Sequence, residues 1–385
     1  MDYPIPRLPV LDWKTFSGTQ LSATPCLLTH PKNQFTISGR ASILLALEIL
    51  GVGEGDKVLV PTFHCPTMIA PIVARGAQPV FYPLNEDGAP KLEWITQIDN
   101  QGIRAMLVAH FFGLPQPLAE VRQWCNKGGV RLIEDCAHAL FGAIDERAIG
   151  SWGDLAIASL TKFLPVPEGG CLVNNMGSGS LPPLQKPHIL GQFKAAFDIV
   201  HVGVNHGRLR GFRTVVTGLY GFLGLFKQAK RFQVRQAALS AKDGISIGTI
   251  HAHQALTYAS RWMAGHAPHE RIVSHRRANY LFFAQALSGL AGMHPLHPDL
   301  PENCAPYVFP LWVDQPDPGY AELRRLEFPV SRWDRLWPGV PTIENDSGIK
   351  WSCHVLQLAC HQDLTPDELK QMVKTVKQVY AGGGR

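Results

Sequence analysis

Short apolar runs alternate with amphipathic segments along the first part of the chain. The run from Ala105 to His110 (AMLVAH) is typical of a buried strand, and the stretch from Leu118 to Cys125 after it is typical of a helix. The same alternation predicts strands at 57–60, 79–82, 105–110, 130–134, 154–159 and 171–174, and helices at 39–50, 66–74 and 118–125. Strands that alternate with helices of about ten residues predict a mainly parallel sheet with helices on both faces.

The second part of the chain has a different pattern. Residues 249–290 predict one long helix, and a strand at 307–313 and a helix at 320–326 follow it. The final helix begins with a capping box, Thr365-Pro366-Asp367-Glu368, in front of apolar residues at helical spacing. The predicted class is α/β, with a large domain around a mainly parallel central sheet and a smaller C-terminal α+β domain. A chain of 385 residues is long enough for two domains. The predicted ranges are 1–32 for a proline-rich N-terminal arm, 33–265 for the large domain and 266–385 for the small domain.

The composition is that of an ordinary soluble globular enzyme, with 45% apolar and 17% charged residues, which excludes global disorder. The formal net charge of +5 suits an anionic small substrate, and no nucleic-acid partner is expected. Eight cysteines without a CxxC pair indicate reduced thiols, and neither a metal site nor a disulfide framework is predicted. The N-terminus lacks the pattern of a signal peptide, so we expect a cytoplasmic protein.

Residues 191–242 interrupt the alternation and carry nine Lys or Arg side chains against one acid, Asp198. Apolar clusters such as LYGFLGLF lie between these charges, and the most apolar run, 215–226, is shorter than the roughly 20 residues that a membrane-spanning helix needs. A basic amphipathic insertion of this kind has three interpretations. It lies on the anionic surface of the inner membrane, it forms a wall of a diphosphate pocket, or it is a solvated or packed pair of helices.

Three chemically interesting residues follow predicted strands: His64, Asp135 and Lys162. Ligands of parallel α/β sheets bind off the carboxyl ends of the strands, so these side chains are candidates for one site. Lys162 lies between an apolar strand and a turn that ends in Glu168-Gly169-Gly170. Because a buried ammonium is costly, Lys162 is either an ordinary strand-end lysine that reaches water or an amine that forms a Schiff base with an aldehyde cofactor.

Other residues extend this candidate site. Gly39 at a helix start offers free backbone N–H groups and the positive end of a helix dipole, which suits a phosphate. Ser159 adds a hydroxyl, and a buried Asp135 keeps a heterocyclic nitrogen protonated. Each of these features alone is equally typical of an ordinary helix cap or of a pair of surface residues. Together with Lys162, in this chain order, they meet the requirements of pyridoxal 5′-phosphate.

Several motifs in the same order make the sequence resemble a known family, the DegT/DnrJ/StrS sugar aminotransferases, which are fold-type-I pyridoxal phosphate enzymes. The motifs are SGRASILLALEILGVGEGDKVLVPTF, GAQPVFYPLN, IEDCAHALFG, GSWGDLAIASLTK, EGG and VLQLACHQDLTPDEL. The resemblance is clear over 35–174 and looser over 244–380.

The resemblance implies a role for each matched residue. Lys162 forms the Schiff base, Asp135 binds the pyridine nitrogen, and His138 lies beside the 3-oxygen of the cofactor. Gly39 and Arg40 take the place of the phosphate-binding Gly-Thr pair of the family, and Ser159 matches its phosphate-binding serine. The family also implies a homodimer whose active sites share residues between the two chains.

The chain departs from the family pattern at four places. The segment from Ser159 to Lys162 is two residues shorter than usual, and Arg40 replaces a threonine. The position of the aromatic residue that stacks on the cofactor falls on Cys65, so His64 or Phe63 is expected to replace it. The partner-chain asparagine aligns near Ser246. These departures indicate a divergent branch that serves polysaccharide biosynthesis.

The predicted function is transfer of an amino group, usually from L-glutamate in this family, to a nucleotide-linked keto sugar. Lys162 moves the proton and Asp135 holds the ring nitrogen protonated. One alternative is other chemistry on the same cofactor, of the lyase or desulfurase type, with Cys65 or Cys136 as a nucleophile. Another is a non-catalytic scaffold in a membrane-bound polysaccharide assembly.

Overall fold

Two β-sheets organise the chain, a seven-stranded sheet from residues up to Asn174 and a four-stranded sheet from Met293 onward. The computed structural model describes residues 3–19, 22–177, 181–212, 214, 218 and 251–381. The strands up to Asn174 are β1 (Asn33–Thr36), β2 (Lys57–Pro61), β3 (Gln78–Tyr82), β4 (Ile103–Ala109), β5 (Arg131–Asp135), β6 (Ala143–Ile144), β7 (Arg147–Ala148), β8 (Leu155–Ser159) and β9 (Gly170–Asn174). Strands β6 and β7 pair with each other as a separate hairpin.

The large sheet has the strand order β1-β9-β8-β5-β4-β2-β3. The five strands from β3 to β8 are parallel, whereas β9 pairs antiparallel with both β8 and β1. The mainly parallel sheet predicted from the sequence is therefore confirmed. Its parallel strands place their carboxyl ends along one edge, which is where the candidate residues after β2, β5 and β8 lie.

Four helices connect the strands of this sheet: α1 (Gly39–Ile49), α2 (Pro66–Ala74), α3 (Leu92–Ile95) and α4 (Ala119–Gly128). The Ser38 side chain caps α1 by accepting a hydrogen bond from the Ala41 N–H at 3.2 Å. Gly51, with a φ of 67°, follows the end of the helix. The predicted start and stop of α1 are confirmed, as is the range of α2.

The single long helix predicted over 249–290 is wrong. The described residues of this range form two helices, α6 (Tyr258–Gly265) and α7 (His269–Ala286), and residues 249–250 lie outside the described part. Pro268 is the N-cap of α7, with a ψ of 91° that does not continue a helix. A proline lacks the N–H of the helical ladder, so it starts a new helix at this position.

The C-terminal part contains β10 (Met293–Pro295), β11 (Val308–Val313), β12 (Val330–Ser331) and β13 (Val355–Ala359), with helices α8 (Gly319–Arg325), α9 (Ser347–His354) and α10 (Pro366–Ala381). All pairings in this sheet are antiparallel. The capping box of α10 is present, because the Thr365 N–H donates to Glu368 Oε2 at 2.8 Å and the Glu368 N–H donates to Thr365 Oγ1 at 3.3 Å. The α+β character of this part is confirmed, and the exact domain boundaries stay a prediction.

The described N-terminal residues form an extended arm with one 3₁₀ turn, Leu27–Thr29. The arm is held in place, since the Val10 N–H donates to Asp363 Oδ2 at 3.2 Å and Leu27 is buried. Other residues of the arm are exposed, among them Leu8 and Trp13.

Only the first part of the basic insertion is described, and it forms α5 (Ile189–Asn205) and a 3₁₀ turn, Arg210–Phe212. Arg208 donates to Glu368 Oε2 at 2.6 Å and to the Asp363 carbonyl at 2.9 Å. Lys194 pairs with Asp198. Among the described residues of the insertion, Lys194 and Arg208 are therefore paired within the fold. The apolar run 215–226 lies outside the described residues except for position 218. Among the helices of the described part, none is long and apolar enough to cross a membrane.

Candidate active site

A cavity of about 190 Å³ lies at the carboxyl ends of the parallel strands. The structure brings six of the seven predicted site residues to its wall: Gly39, Arg40, Asp135, His138, Ser159 and Lys162. They come from the start of α1, the end of β5, and the end of β8 with the turn after it. A helix start, a carboxylate and an amine thus line one cavity.

Lys162 ends a short 3₁₀ turn, Leu160–Lys162, that continues β8. Its carbonyl accepts a hydrogen bond from Arg276 Nη2 at 2.8 Å, which fixes the backbone of the turn. Burial lowers the pKa of the Lys162 amine, and the negative charge of Asp135 opposes that change. The amine is therefore easier to deprotonate than an exposed lysine, as a nucleophile and a proton acceptor require.

Asp135 is the last residue of β5 and is 4% exposed. One carboxylate oxygen accepts the Ala137 N–H at 2.8 Å. Burial raises the pKa of this carboxyl group, while the positive charge of Lys162 acts in the opposite direction. Asp135 and Lys162 thus stabilise each other's charged forms in a site where burial favours the neutral ones.

Glu134, the neighbour of Asp135, has a structural role. Its carboxylate accepts the backbone N–H groups of Gly150, Trp152 and Gly153 and lies 2.9 Å from His110 Nε2. Burial would raise its pKa, but these hydrogen bonds outweigh burial and lower it. His110 Nδ1 also accepts the Gln116 N–H at 2.8 Å, so both ring nitrogens are engaged. The network fixes the ends of β4 and β5 beside the cavity.

The proposed phosphate-binding region joins α1 to the strands next to it. A Cβ atom on Gly39 would lie 3.4 Å from Ser159 Cβ, so the helix start and the serine are close neighbours. A Cβ atom on Gly170 would lie 2.3 Å from the Ser38 carbonyl oxygen. Only glycine permits this approach, which explains the glycine at position 170.

Trp333 also lines the cavity, and the sequence patterns did not identify it. It lies in the loop after β12, and its ring centroid is 4.8 Å from His138 and 4.9 Å from Phe63. No periodic element surrounds Trp333 in the sequence, and its neighbours in space come from distant segments. Only the three-dimensional structure reveals it as an aromatic wall of the site.

The structure corrects the expectation for His64. This residue is completely buried and does not line the cavity. Its Nδ1 donates to the Pro61 carbonyl at 3.0 Å, its Nε2 accepts the Trp337 N–H at 2.9 Å, and its ring stacks on Phe81. Burial lowers the pKa of His64 to about 4. Cys65, the next residue, faces the cavity instead.

Phe63 is likewise completely buried and packs among other aromatic rings, away from the cavity wall. Neither of the two expected replacements for the stacking aromatic residue is therefore in position. Ser246, the predicted counterpart of the partner-chain asparagine, lies outside the described residues.

Comparison with known proteins shows what the chain is similar to. Residues 31–178 match the model of the DegT/DnrJ/EryC1/StrS aminotransferase family. The chain is similar to GDP-perosamine synthase of Vibrio cholerae, with 32% identity over 37% of this chain and 40% of that protein. It is also similar to dTDP-4-dehydro-2,3,6-trideoxy-D-glucose 4-aminotransferase of Saccharopolyspora spinosa, with 31% identity over 35% of this chain and 36% of that protein. The chain thus matches about two fifths of the length of these relatives.

The fold extends beyond the part that matches in sequence. The chain is similar in structure to Helicobacter pylori PseC, an aminotransferase involved in the biosynthesis of pseudoaminic acid. The match covers 99% of each chain, with a TM-score of 0.65 and 13% sequence identity. The predicted fold, fold type I with a mainly parallel central sheet and a smaller C-terminal part, is thereby confirmed. Gly39, Asp135 and Lys162 all lie within residues 31–178, the part of the chain that is similar to the DegT/DnrJ/EryC1/StrS aminotransferase family.

Proposed function

We propose that this chain is a pyridoxal 5′-phosphate-dependent aminotransferase that moves an amino group from an amino acid, with L-glutamate as the expected donor, to a nucleotide-linked keto sugar. The observation that carries the proposal is the meeting of Lys162, Asp135, Ser159 and the start of α1 in one cavity. The family match over 31–178 and the names of the similar relatives support the reaction and the substrate class.

The residues of the cavity fit this cofactor in chemical type. The α1 start at Gly39 and the Ser159 hydroxyl suit its phosphate, and Arg40 adds a cation there. Asp135 supplies a buried carboxylate for a protonated ring nitrogen. When bound, the cofactor supplies an electron-accepting ring that stabilises negative charge on the substrate carbon. Lys162, with its lowered pKa, takes the proton from that carbon and returns it to the neighbouring position.

The alternative chemistry requires a cysteine nucleophile, and of the two candidates, Cys65 and Cys136, only Cys65 remains. Burial raises the pKa of the Cys136 thiol well above its usual value, and the charges of Glu134 and Asp135 add to the effect. A thiol in that environment is not a thiolate nucleophile near neutral pH. Cys65 does line the cavity, so the Cys65→Ala variant tests this alternative. Retention of amino transfer by this variant excludes a role for the thiol.

The proposal is tested by the absorption spectrum and the products of the purified protein. Incubation with pyridoxal phosphate is expected to give a lysine-bound band near visible wavelengths, and L-glutamate is expected to bleach it. A panel of keto-sugar nucleotides then restores the band, and mass spectrometry identifies the amino sugar. A protein that takes up no cofactor, or whose band no amino donor changes, contradicts the proposal.

Trp333 is expected to strengthen cofactor binding, because it is a large aromatic ring on the cavity wall. Loss of one aromatic contact costs about 1 kcal/mol, so the Trp333→Ala variant should bind the cofactor several-fold more weakly. Trp333→Phe keeps a ring and should lose less. Titration of the cofactor followed by absorbance measures both affinities. Equal affinities of Trp333→Ala and the wild type would remove this role.

We also propose that the protein is a homodimer. Large apolar side chains are exposed on α5 and α6, including Leu190 at 72%, Phe193 at 70% and Trp262 at 52%. Replacing Leu190 and Phe193 with aspartate should yield a monomer in sedimentation velocity experiments. Leu326→Asp, at an exposed site on another surface, is the matched control. A wild-type protein that sediments as a monomer contradicts the proposal.

A cytoplasmic location, with peripheral membrane contact through the basic insertion, stays a further proposal. Arg208 is unsuited to membrane binding because its side chain is only 11% exposed and pairs with Glu368. The lysines and arginines at 227, 230, 231 and 235 lie outside the described residues and are the better test. Neutralising them should reduce co-sedimentation with anionic liposomes. Equal pelleting of this variant and the wild type would remove the membrane role.

A further inference from the structure

A second cavity, of about 480 Å³, opens beside Lys162. Its wall includes Arg7 and Val10 of the N-terminal arm, Val202 and His206 near the end of α5, and Tyr307 and Lys162. Lys162 is also in the wall of the first cavity, so this residue borders both spaces, and its Nζ lies 5.3 Å from the ring of Tyr307 in the second cavity's wall. A substrate in the second cavity would meet the same amine as a cofactor in the first.

The sizes of the two cavities favour an arrangement in which the first holds the cofactor and the second holds the substrate. Ligand pockets commonly measure roughly 300 to 1,000 Å³. The first cavity, at about 190 Å³, suits a compact cofactor but leaves no room for a sugar nucleotide. Tyr307 connects the two spaces, with its ring 5.3 Å from Lys162 Nζ and 4.6 Å from the His138 ring. The second cavity is the adjoining space into which a substrate can extend.

The charges of the second cavity favour an anion. Its wall contains the basic side chains of Arg7, Lys162 and His206, and no Asp or Glu is among its described lining residues. Arg7 is exposed and makes no ion pair or hydrogen bond with any residue in the described ranges. Burial raises the pKa of Tyr307, and the positive charge of Arg7 opposes that rise, which places the guanidinium near this ring. A free guanidinium in a basic cavity is suited to bind a carboxylate or a phosphate.

The N-terminal arm is anchored on both sides of Arg7. The Pro6 carbonyl lies 3.0 Å from His361 Nε2, and the Val10 N–H donates to Asp363 Oδ2. The Pro4 carbonyl accepts from His206 Nδ1 at 2.7 Å, which ties the arm to α5. These bonds hold Arg7 at the cavity wall, so its position is a built feature of the fold.

We infer that the second cavity is the substrate subsite of the reaction proposed above and that Arg7 binds an oxyanion of the substrate there. This inference rests on the proposed function. The shared chemistry is an anionic oxygen group, and it has two possible sources. One is the carboxylate of the amino-acid donor, and the other is the diphosphate of the sugar nucleotide.

The test measures the binding of two unreactive ligands to the holoenzyme by calorimetry. Glutarate represents the dicarboxylate donor without its amine, and GDP represents the nucleotide without its sugar. Arg7→Ala is expected to weaken one of them by roughly tenfold or more, the effect of losing a charged hydrogen bond. Arg7→Lys, which keeps the charge, should lose less affinity. Lys14→Ala, an exposed cation of the same arm, is the control and should match the wild type.

Each outcome has one meaning. A loss confined to glutarate assigns the subsite to the donor, and a loss confined to GDP assigns it to the sugar nucleotide. The KM of the corresponding substrate should then rise in separately measured half-reactions while kcat changes little. Unchanged affinity of Arg7→Ala for both ligands, or no binding of either to the wild type, overturns the inference. Failure of the proposed function is recognised separately, because such a chain takes up no cofactor or transfers no amine.

Discussion

Replacing Lys162 with alanine is expected to abolish amino transfer and the absorption band of the lysine-bound cofactor. Under the proposed function, the substitution removes both the amine that attaches the cofactor and the group that moves the proton at the substrate carbon. General acid–base catalysis alone contributes about 10²- to 10⁴-fold, so a loss of at least three orders of magnitude in kcat is expected. Single-turnover kinetics with the cofactor in excess measure the remaining rate.

A structural control separates this catalytic loss from misfolding. Burial lowers the pKa of Lys162, so its ammonium is poorly solvated in the fold. Removing it also leaves the buried carboxylate of Asp135 without its counter-charge, so the thermal midpoint of the cofactor-free protein should fall modestly while its circular-dichroism spectrum stays that of the wild type. Added methylamine should restore part of the proton-transfer rate, because a small amine can enter the space left by the side chain. Wild-type turnover by Lys162→Ala would contradict the assignment of the catalytic amine.

Residues at the ends of parallel strands could be predicted from the sequence. Asp135, Ser159 and Lys162 follow apolar runs, and the parallel sheet brings such strand ends to one edge. Gly39 joins them because α1 begins beside β8. The apolar runs and the helix start therefore predicted four residues that line the cavity.

The rule that residues after parallel strands line the site failed for His64, although His64 also follows a strand. Neighbouring side chains beyond a strand end point in different directions, and here Cys65 faces the cavity while His64 turns toward Phe81 and Trp337. A sequence gives the strand end but not the direction of the side chain in the turn after it. A difference of one position in the turn decides which side chain reaches the cavity.

Trp333 and Arg7 were missed for a different reason. Each lies in a segment without periodicity, and each reaches the site by contacts between distant parts of the chain. Arg276 is a similar case, since it lies in α7 and binds the Lys162 carbonyl 114 residues earlier in the sequence. Its position in an amphipathic helix is compatible with solvent exposure, yet the structure buries it completely.

The buried guanidinium of Arg276 is expected to be a main determinant of stability. Nε donates to Gln362 Oε1 at 2.8 Å, Nη1 to the Pro306 and Tyr307 carbonyls, and Nη2 to the Lys162 carbonyl. The guanidinium carbon also lies 4.4 Å from the centre of the Phe163 ring. Burial lowers the pKa of Arg276 to about 10. One side chain thus joins α7, the segment in front of β11 and the turn that carries Lys162.

Arg276→Ala is therefore expected to lower the free energy of unfolding by about 3–5 kcal/mol, because it leaves buried carbonyl oxygens without donors and opens a cavity. Urea unfolding followed by fluorescence measures the change. Arg277→Ala is the matched control, since the neighbouring side chain is only partly buried, and it should cost about 1 kcal/mol. Arg276→Lys should fall between the two, because an ammonium cannot reach all four acceptors in the planar geometry of a guanidinium. Equal destabilisation by Arg276→Ala and Arg277→Ala would show that the four hydrogen bonds contribute little and that the Lys162 turn is held by its packing alone.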